Sequence, residues 1–245
     1  MFYDTINLKG SDFIKKYRSE YKYILSNQDL SLLQSRVSSV LQLDPHTPKS
    51  GRYLIHSLYF DDYKDTSLLD TAAGVSKRYK WRIRYYGDDL KYIVLEKKEK
   101  IDSRCHKKSC KLTLDEYNSI VSGSILDIVY DTEKELIKEL ACDVLLHDHR
   151  PKVIIDYERI AYVEEITNVR ITFDMKISAS YDIDNFLTGD YTKYYLQNSG
   201  ENILEVKFDD ILPSYIRNIV ESHKFIQTSF SKYYYGRKII DSYYR

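Results

Sequence analysis

The chain of 245 residues is short of cysteine, of net charge and of long apolar runs, and each shortage removes a class of protein. Three cysteines, Cys105, Cys110 and Cys142, are too few and too odd in number for a disulfide framework and fit a reducing compartment. Cys105, His106 and Cys110 match no standard zinc spacing and have no evident fourth ligand, so zinc is not expected. Lys plus Arg and Asp plus Glu each total 37, giving a formal net charge of +0. A general nucleic-acid binder would carry a basic excess, so no nucleic-acid partner is expected. No stretch approaches the roughly 18 consecutive apolar residues of a membrane span, and the opening MFYDTINLKG holds no apolar signal core. A cytoplasmic chain that does not itself insert in a membrane is the expectation. Glycine-rich nucleotide loops are missing too, with no P-loop, GxGxxG or GxSxG pattern. Any phosphate chemistry therefore has to use side-chain cations rather than a loop at a helix N-terminus. With no repeat, linker or composition break, one domain over residues 1–245 is expected.

Tyrosine, by contrast, is abundant at 25 residues, and its large amphipathic ring suits a sheet surface. The stretch Lys77 to Lys100 reads as two strands joined at Tyr86-Gly87-Asp88-Asp89. Successive strand side chains face opposite ways, so Lys80, Arg82 and Arg84 share one face while Tyr79, Trp81, Ile83 and Tyr85 share the other. On the second strand Tyr92, Val94, Glu96 and Lys98 oppose Ile93 and Leu95. The charged row recurs as Arg18, Glu20 and Lys22 in Tyr17 to Leu25, and as Tyr157 and Arg159 in Lys152 to Val163. It recurs again as Arg170, Thr172, Asp174 and Lys176, and as Glu205 and Lys207 in Asn202 to Phe208. Arg52 to Phe60 is a further strand, and Arg104 to Leu112 a basic strand or loop with Lys107, Lys108 and Lys111. Helices are expected after Ser26, where Leu30, Leu33, Val37, Val40 and Leu41 follow at helical spacing, and after the capping box Thr113 to Glu116. Two more are expected over Asp131 to His147 and from Pro213 to about Glu221. Asp182 to Gly200 reads as a polar excursion. His56, His106, His147 and His149 have no identifiable carboxylate partner and read as surface or packing residues, and the tyrosines as core and sheet surface.

A single strand of this kind is ordinarily half-solvated. A chain of zero net charge whose strands are repeatedly cationic, however, has sorted its charge. If about eight antiparallel strands close into a barrel, one strand face lines the interior. An apolar face turned inward would leave the amphipathic helices without a surface for their stripes, whereas a charged face turned inward supplies one outside. The expected fold is therefore α+β, an antiparallel β tunnel barrel with a charged interior and helices packed outside. An interior holding Arg18, Lys22, Lys80, Arg82, Arg84, Lys98, Arg159, Arg170 and Lys207 calls for a polyanion, because crowded like charges repel. Glu20, Glu96, Asp174 and Glu205 on the same rows are of the type that holds a hard divalent cation against phosphate oxygens.

The ordered set Arg18-x-Glu20-x-Lys22-Tyr23, Ser57-Leu58-Tyr59-Phe60-Asp61, Lys80-x-Arg82-x-Arg84-x-Tyr86, Leu95-Glu96-x-Lys98, Tyr157-x-Arg159, Val169-Arg170-x-Thr172-x-Asp174, Leu204-Glu205-x-Lys207 and Ser231-Lys232-Tyr233 resembles the vacuolar transporter chaperone (VTC) domain, one of the triphosphate tunnel metalloenzymes. The resemblance implies a polyphosphate polymerase that adds the terminal phosphate of ATP to inorganic polyphosphate, using Mn2+ or Mg2+. It implies catalytic cations at Arg82, Arg84, Lys98, Arg159, Arg170 and Lys207, and substrate-binding cations at Arg18, Lys22, Lys80, Lys108 and Lys232. Glu205 is the implied metal ligand, with Glu20 and Glu96 as further carboxylates. An inorganic or nucleoside triphosphatase and a non-catalytic polyphosphate-binding module are the alternatives, and a membrane partner on another chain is left open. Hydrolytic relatives in the superfamily usually begin with Glu-x-Glu-x-Lys. Arg18 in the first Glu position removes a metal ligand, adds a phosphate ligand and leans toward transfer.

Overall fold

The computed structural model describes residues 17–102, 104–221 and 225–243. The expectation for the opening MFYDTINLKG falls outside the described residues. In chain order the elements are β1 (Arg18–Leu25), α1 (Asn27–Ser38), β2 (Gln42–Leu43), β3 (Tyr53–Asp61), α2 (Thr66–Ala73), β4 (Lys77–Tyr86), β5 (Asp89–Ile101) and β6 (Arg104–Leu112). They continue with α3 (Leu114–Val121), α4 (Ile125–Ile128), α5 (Glu135–His147), β7 (Arg150–Glu164), β8 (Val169–Ser180), β9 (Tyr194–Tyr195), β10 (Asn202–Phe208), α6 (Ser214–Glu221) and α7 (Lys232–Tyr243). Among the described residues, no helix is long and apolar enough to cross a membrane.

Eight strands form a closed antiparallel ring, β7-β3-β4-β5-β6-β1-β10-β8, in which β8 pairs back onto β7. The short β2 and β9 add to β7 and β8. Closure removes the free sheet edge and gives every strand one inner and one outer face. The outer face takes the helices as the alternation requires. Leu30, Leu33 and Val37 of α1 and Ile216 and Val220 of α6 pack on Ile171, Phe173 and Val206. On another side, Tyr117, Ile137 and Leu140 of α3 and α5 cover Trp81, Ile83 and Leu95. The helix starts follow local chemistry: the Ser26 hydroxyl accepts from the Asp29 amide while the Asp29 carboxylate accepts from the Ser26 amide, and Thr113 and Glu116 repeat the device for α3.

Two features depart from simple alternation. The β7–β8 register shifts between Asp156 and Glu158, giving β8 one extra residue, with Lys176 at φ 50°. This corrects the expected row of Arg170, Thr172, Asp174 and Lys176: past the bulge Lys176 lies outside, paired with Glu158 at 2.7 Å, while Ile177 and Ala179 turn inward. The second feature is α7, which packs against the inward-facing Ile155, Ile177 and Ala179 through Tyr233, Gly236 and Ile240. A Cβ on Gly236 would lie 2.3 Å from Ile155 Cδ1, so the approach of α7 depends on glycine. Arg237 fixes the helix laterally with two 2.9 Å bonds to the Asp65 carboxylate at the start of α2.

Candidate active site

The remaining inner surface encloses a cavity of about 1350 Å³. Its wall brings together Arg18, Lys22, Lys80, Arg82, Arg84, Lys98, Arg159, Arg170, Lys207 and Lys232, with Glu20 and Glu205 among them. These residues come from β1, β4, β5, β7, β8, β10 and α7, and β-strand alternation aims each of the strand residues inward.

Three carboxylate-centred groups hold most of the cations apart. In the first, Glu96 is buried beneath the wall and accepts from Arg82 Nε at 2.6 Å and Lys107 Nζ at 2.6 Å, with Arg84 at 3.8 Å. Glu96 is thus a counterion to the two arginines and does not line the cavity as Glu20 and Glu205 do. In the second, Glu20 accepts from Lys98 at 2.8 Å and Lys22 at 2.9 Å, and Glu205 from Lys207 at 2.5 Å. In the third, Asp174 receives both Nε and Nη2 of Arg159, at 2.6 and 2.7 Å, and Lys232 at 2.6 Å. Nearer the rim, Arg170 reaches Asp44 at 2.8 Å and the Tyr53 hydroxyl at 3.2 Å, and Arg18 reaches Asp209 at 3.0 Å.

Lys108 is not brought to the site. It lies on the outer face against Glu139 of α5, and Lys107 occupies the wall. The β5–β6 register decides this, since Lys98 faces Lys107 and Lys97 faces Lys108 across the ladder. Counting back from the tight turn at Asp102 would have found it.

Tyrosines expected as core also serve the cavity. Tyr59 accepts from Arg82 at 3.0 Å and Tyr157 from Arg84 at 3.1 Å, orienting both guanidinium planes, with Ser57 accepting from Arg84 at 3.0 Å. Burial pushes the Tyr59 phenol up, but Arg82 and Arg84 outweigh it and hold the group below its ordinary value. Two histidines, contrary to expectation, have carboxylate partners: His56 meets Asp156 at 3.0 Å and His106 meets Glu99 at 3.4 Å. His56 nevertheless sits outside the cavity, stacked 4.4 Å from Tyr85, where it packs β3 against its neighbours.

The protonation states follow from these partners. Burial and Glu205 push the Glu20 carboxyl up, yet Lys22, Lys98 and Lys207 prevail and keep it well below the carboxylate range. Glu205 is likewise held far down, with burial opposing and Lys207 and Lys22 leading the other way. Two cations move the opposite way. Burial, then the ammonium groups of Lys98 and Lys22, bring Lys80 down to about 7. Burial outweighs Glu205 and Glu20 at Lys207 and brings it down to about 8.

Among the described residues no group of three or more His, Cys, Asp or Glu is placed to hold a metal ion. The adjacent pair Glu20 and Glu205 is a smaller donor set, bridged by Lys22 at 2.9 and 3.8 Å and by Lys207 at 4.0 and 2.5 Å. Thr172, cross-strand from Glu205 and on the same face, has a buried hydroxyl with no hydrogen-bond partner among the described residues. Mg2+ at phosphate sites is bound by one or two carboxylates and completed by substrate oxygens. The pair and the hydroxyl fit an ion completed in that way; they do not make a preformed cage.

The VTC domain family model matches residues 17–240. No curated protein matches the chain. Among solved structures the chain is similar to the bh2851 protein of Bacillus halodurans, at 12% identity and TM-score 0.48, over 88% of this chain and 94% of that one. It is similar to the PH1819 protein of Pyrococcus horikoshii OT3, at 14% identity and TM-score 0.45, over 92% and 99%. It is also similar to the Mimivirus capping enzyme triphosphatase, at 12% identity and TM-score 0.34, over 86% and 87%.

Proposed function

The chain belongs to the VTC domain family, and from that premise we propose that it is a polyphosphate polymerase, transferring the terminal phosphate of ATP to a growing inorganic polyphosphate chain inside its barrel. The observation that carries the reading is the convergence of cations from six strands and α7 on one cavity. Two neighbouring carboxylates, Glu20 and Glu205, lie among those cations. Phosphoryl transfer asks a protein for alignment and charge stabilisation more than for covalent participation, and this wall is suited to both.

In the proposed reaction an anionic terminal oxygen of the acceptor chain attacks the γ-phosphorus of ATP. A P–O bond forms, the bond to the β–γ bridging oxygen breaks, and ADP leaves with that electron pair. The attacking oxygen is already ionised, so no side chain has to remove a proton. Arg82 and Arg84, their planes set by Tyr59, Tyr157 and Ser57, would bind phosphoryl oxygens. Lys98, Arg159 and Lys207 would exchange their internal carboxylates for phosphate oxygens. Glu205 and Glu20 would hold Mn2+ or Mg2+, which when bound would neutralise charge on the phosphates undergoing exchange. Arg18 at the first position of β1 supports transfer over hydrolysis, because it adds a phosphate-binding cation where a carboxylate would add a metal ligand.

Incubating the protein with ATP and Mn2+ and resolving the products by chain length tests this. Chains longer than the input triphosphate are expected. Phosphate or diphosphate alone would point to a triphosphatase, and tight polyphosphate binding without any product to a binding module.

A further inference from the structure

Strand pairing sets one row of the inner face in register: Ala161 on β7, Thr172 on β8, Glu205 on β10 and Lys22 on β1. Directly opposed side chains on one face of a sheet have Cβ atoms about 4.5–5.5 Å apart. Thr172 is 1% exposed, and its hydroxyl has no hydrogen-bond partner among the described residues. A hydroxyl in that position destabilises the fold, because it has lost water without a replacement.

The neighbours on that face narrow what the hydroxyl can serve. Ala161 presents only a methyl group. Along β8, Asp174 is occupied by Arg159 and Lys232, and Arg170 turns to Asp44 and Tyr53. Glu205 remains, and lysines hold it from the cavity side. Lys207 Nζ sits 2.5 Å from its Oε1, whereas Oε2 lies 3.8 Å from Lys22 Nζ, too far for a hydrogen bond. Glu205 lines the cavity and Thr172 does not, so the hydroxyl approaches the carboxylate from within the wall.

A phosphate chain would draw Lys207 and Lys22 to its own oxygens, and a divalent ion would take one carboxylate oxygen. The other oxygen, still buried, then requires a donor. Thr172 supplies the one hydroxyl in that row, and a β-branched side chain stiff at χ1 would fix the carboxylate plane as well as satisfy it.

We propose that Thr172 is the positioning residue of Glu205: its hydroxyl donates to the carboxylate once metal and phosphate displace the lysines, and holds it in the metal-binding orientation. This rests on Glu205 being a metal ligand in a phosphate site. A hydroxyl unpaired in one state and paired in the other biases the protein toward the metal-loaded state. Removing it should therefore favour the metal-free protein and weaken the metal complex.

The test is Thr172→Val, which puts a methyl group in place of the hydroxyl. Without metal its thermal midpoint should hold or rise, because an unpaired buried hydroxyl has gone. Titration calorimetry with diimidotriphosphate, a triphosphate analogue that resists cleavage, separates the two states. Affinity for its Mn2+ complex is expected to fall about tenfold or more, as when a metal ligand loses its supporting partner, while affinity for the metal-free anion stays within about twofold. Thr172→Ser restores the donor and should return the Mn2+ complex to within about threefold of wild type. A lowered metal-free midpoint for Thr172→Val, equal losses for both forms of the ligand, an unchanged Mn2+ complex, or a serine variant no better than valine would overturn the role. A wild-type protein that binds the anion equally with and without Mn2+, or does not bind it, is a different result: it removes the metal and phosphate reading of the cavity, and the role with it.

Discussion

Asp174 is fully buried and is the internal anion on which Arg159 and Lys232 converge. Its carboxylate receives Arg159 through two bonds, at 2.6 and 2.7 Å, and Lys232 at 2.6 Å, and so joins β7, β8 and α7. Asp174→Asn keeps the shape and removes the charge, leaving two buried cations with no equivalent acceptor. Removing one member of a buried ion pair costs about 3–5 kcal/mol. Relief of repulsion with Glu205 returns part of that. For a chain of this size about 2–4 °C of thermal midpoint corresponds to each kcal/mol, so a fall of roughly 6–20 °C is expected by scanning calorimetry. Polyphosphate should restore much of it, since phosphate oxygens supply the missing negative charge; a hundredfold excess over the dissociation constant adds about 2.7 kcal/mol. The sign with pH is also set. Burial pushes the Asp174 carboxyl up, but Arg159 and Lys232 hold it below its ordinary value. Its stabilisation is therefore present above the unfolded value of about 3.9 and is lost as pH falls through the folded one, so the deficit of the variant should narrow in acid. A variant midpoint within about 2 °C of wild type at neutral pH, or equal stabilisation of both proteins by ligand, would refute the view that these cations depend on an internal anion which substrate can replace.

Glu205→Gln should lower metal-dependent turnover by about a hundredfold or more, the worth of several kcal/mol of charge stabilisation, while metal-free polyphosphate binding persists or tightens; steady-state kinetics beside a binding titration checks both, and near-normal turnover would reassign Glu205 as a structural partner of Lys207. Lys80 at about 7 and Lys207 at about 8 are partly neutral in mildly alkaline solution, and a polyanion favours their charged forms. Binding should therefore take up protons, and affinity should fall as pH rises through that window; titration calorimetry in buffers of different ionisation heat measures the uptake, and a value of zero would remove these lysines from the ligand. Gly236→Ala should destabilise despite a helix-propensity gain of about 1 kcal/mol, because the new methyl meets Ile155 Cδ1 and overpacking costs about 1–3 kcal/mol. Adding Ile155→Val, which deletes that atom, should recover the loss in a double-mutant cycle.

Much of the barrel was legible in the chain itself. Period-two alternation is a local property, so Lys80, Arg82 and Arg84 had to share a face, and so did Glu20 with Lys22 and Glu205 with Lys207. Zero net charge combined with repeatedly cationic rows implied an enclosed site, and the apolar stripes of α1 and α5 required a surface outside it. Features that depend on how strands register could not be read in the same way. Lys107 and Lys108 are equivalent until β5 pairs with β6 and sends one in and the other out. Lys176 lost its place in the row to a bulge that pairing with β7 defines. Which cations pair with Glu96 and Asp174 is also decided between elements, since Arg82 and Arg159 reach them from neighbouring strands. The seating of α7 on the inner face likewise needed Gly236 to meet Ile155 and Ala179, residues far away in sequence. Alternation passes from each residue to the next, so the sequence carries it; distances between strands are set only by closure of the ring, and on them depends which cations meet which carboxylates.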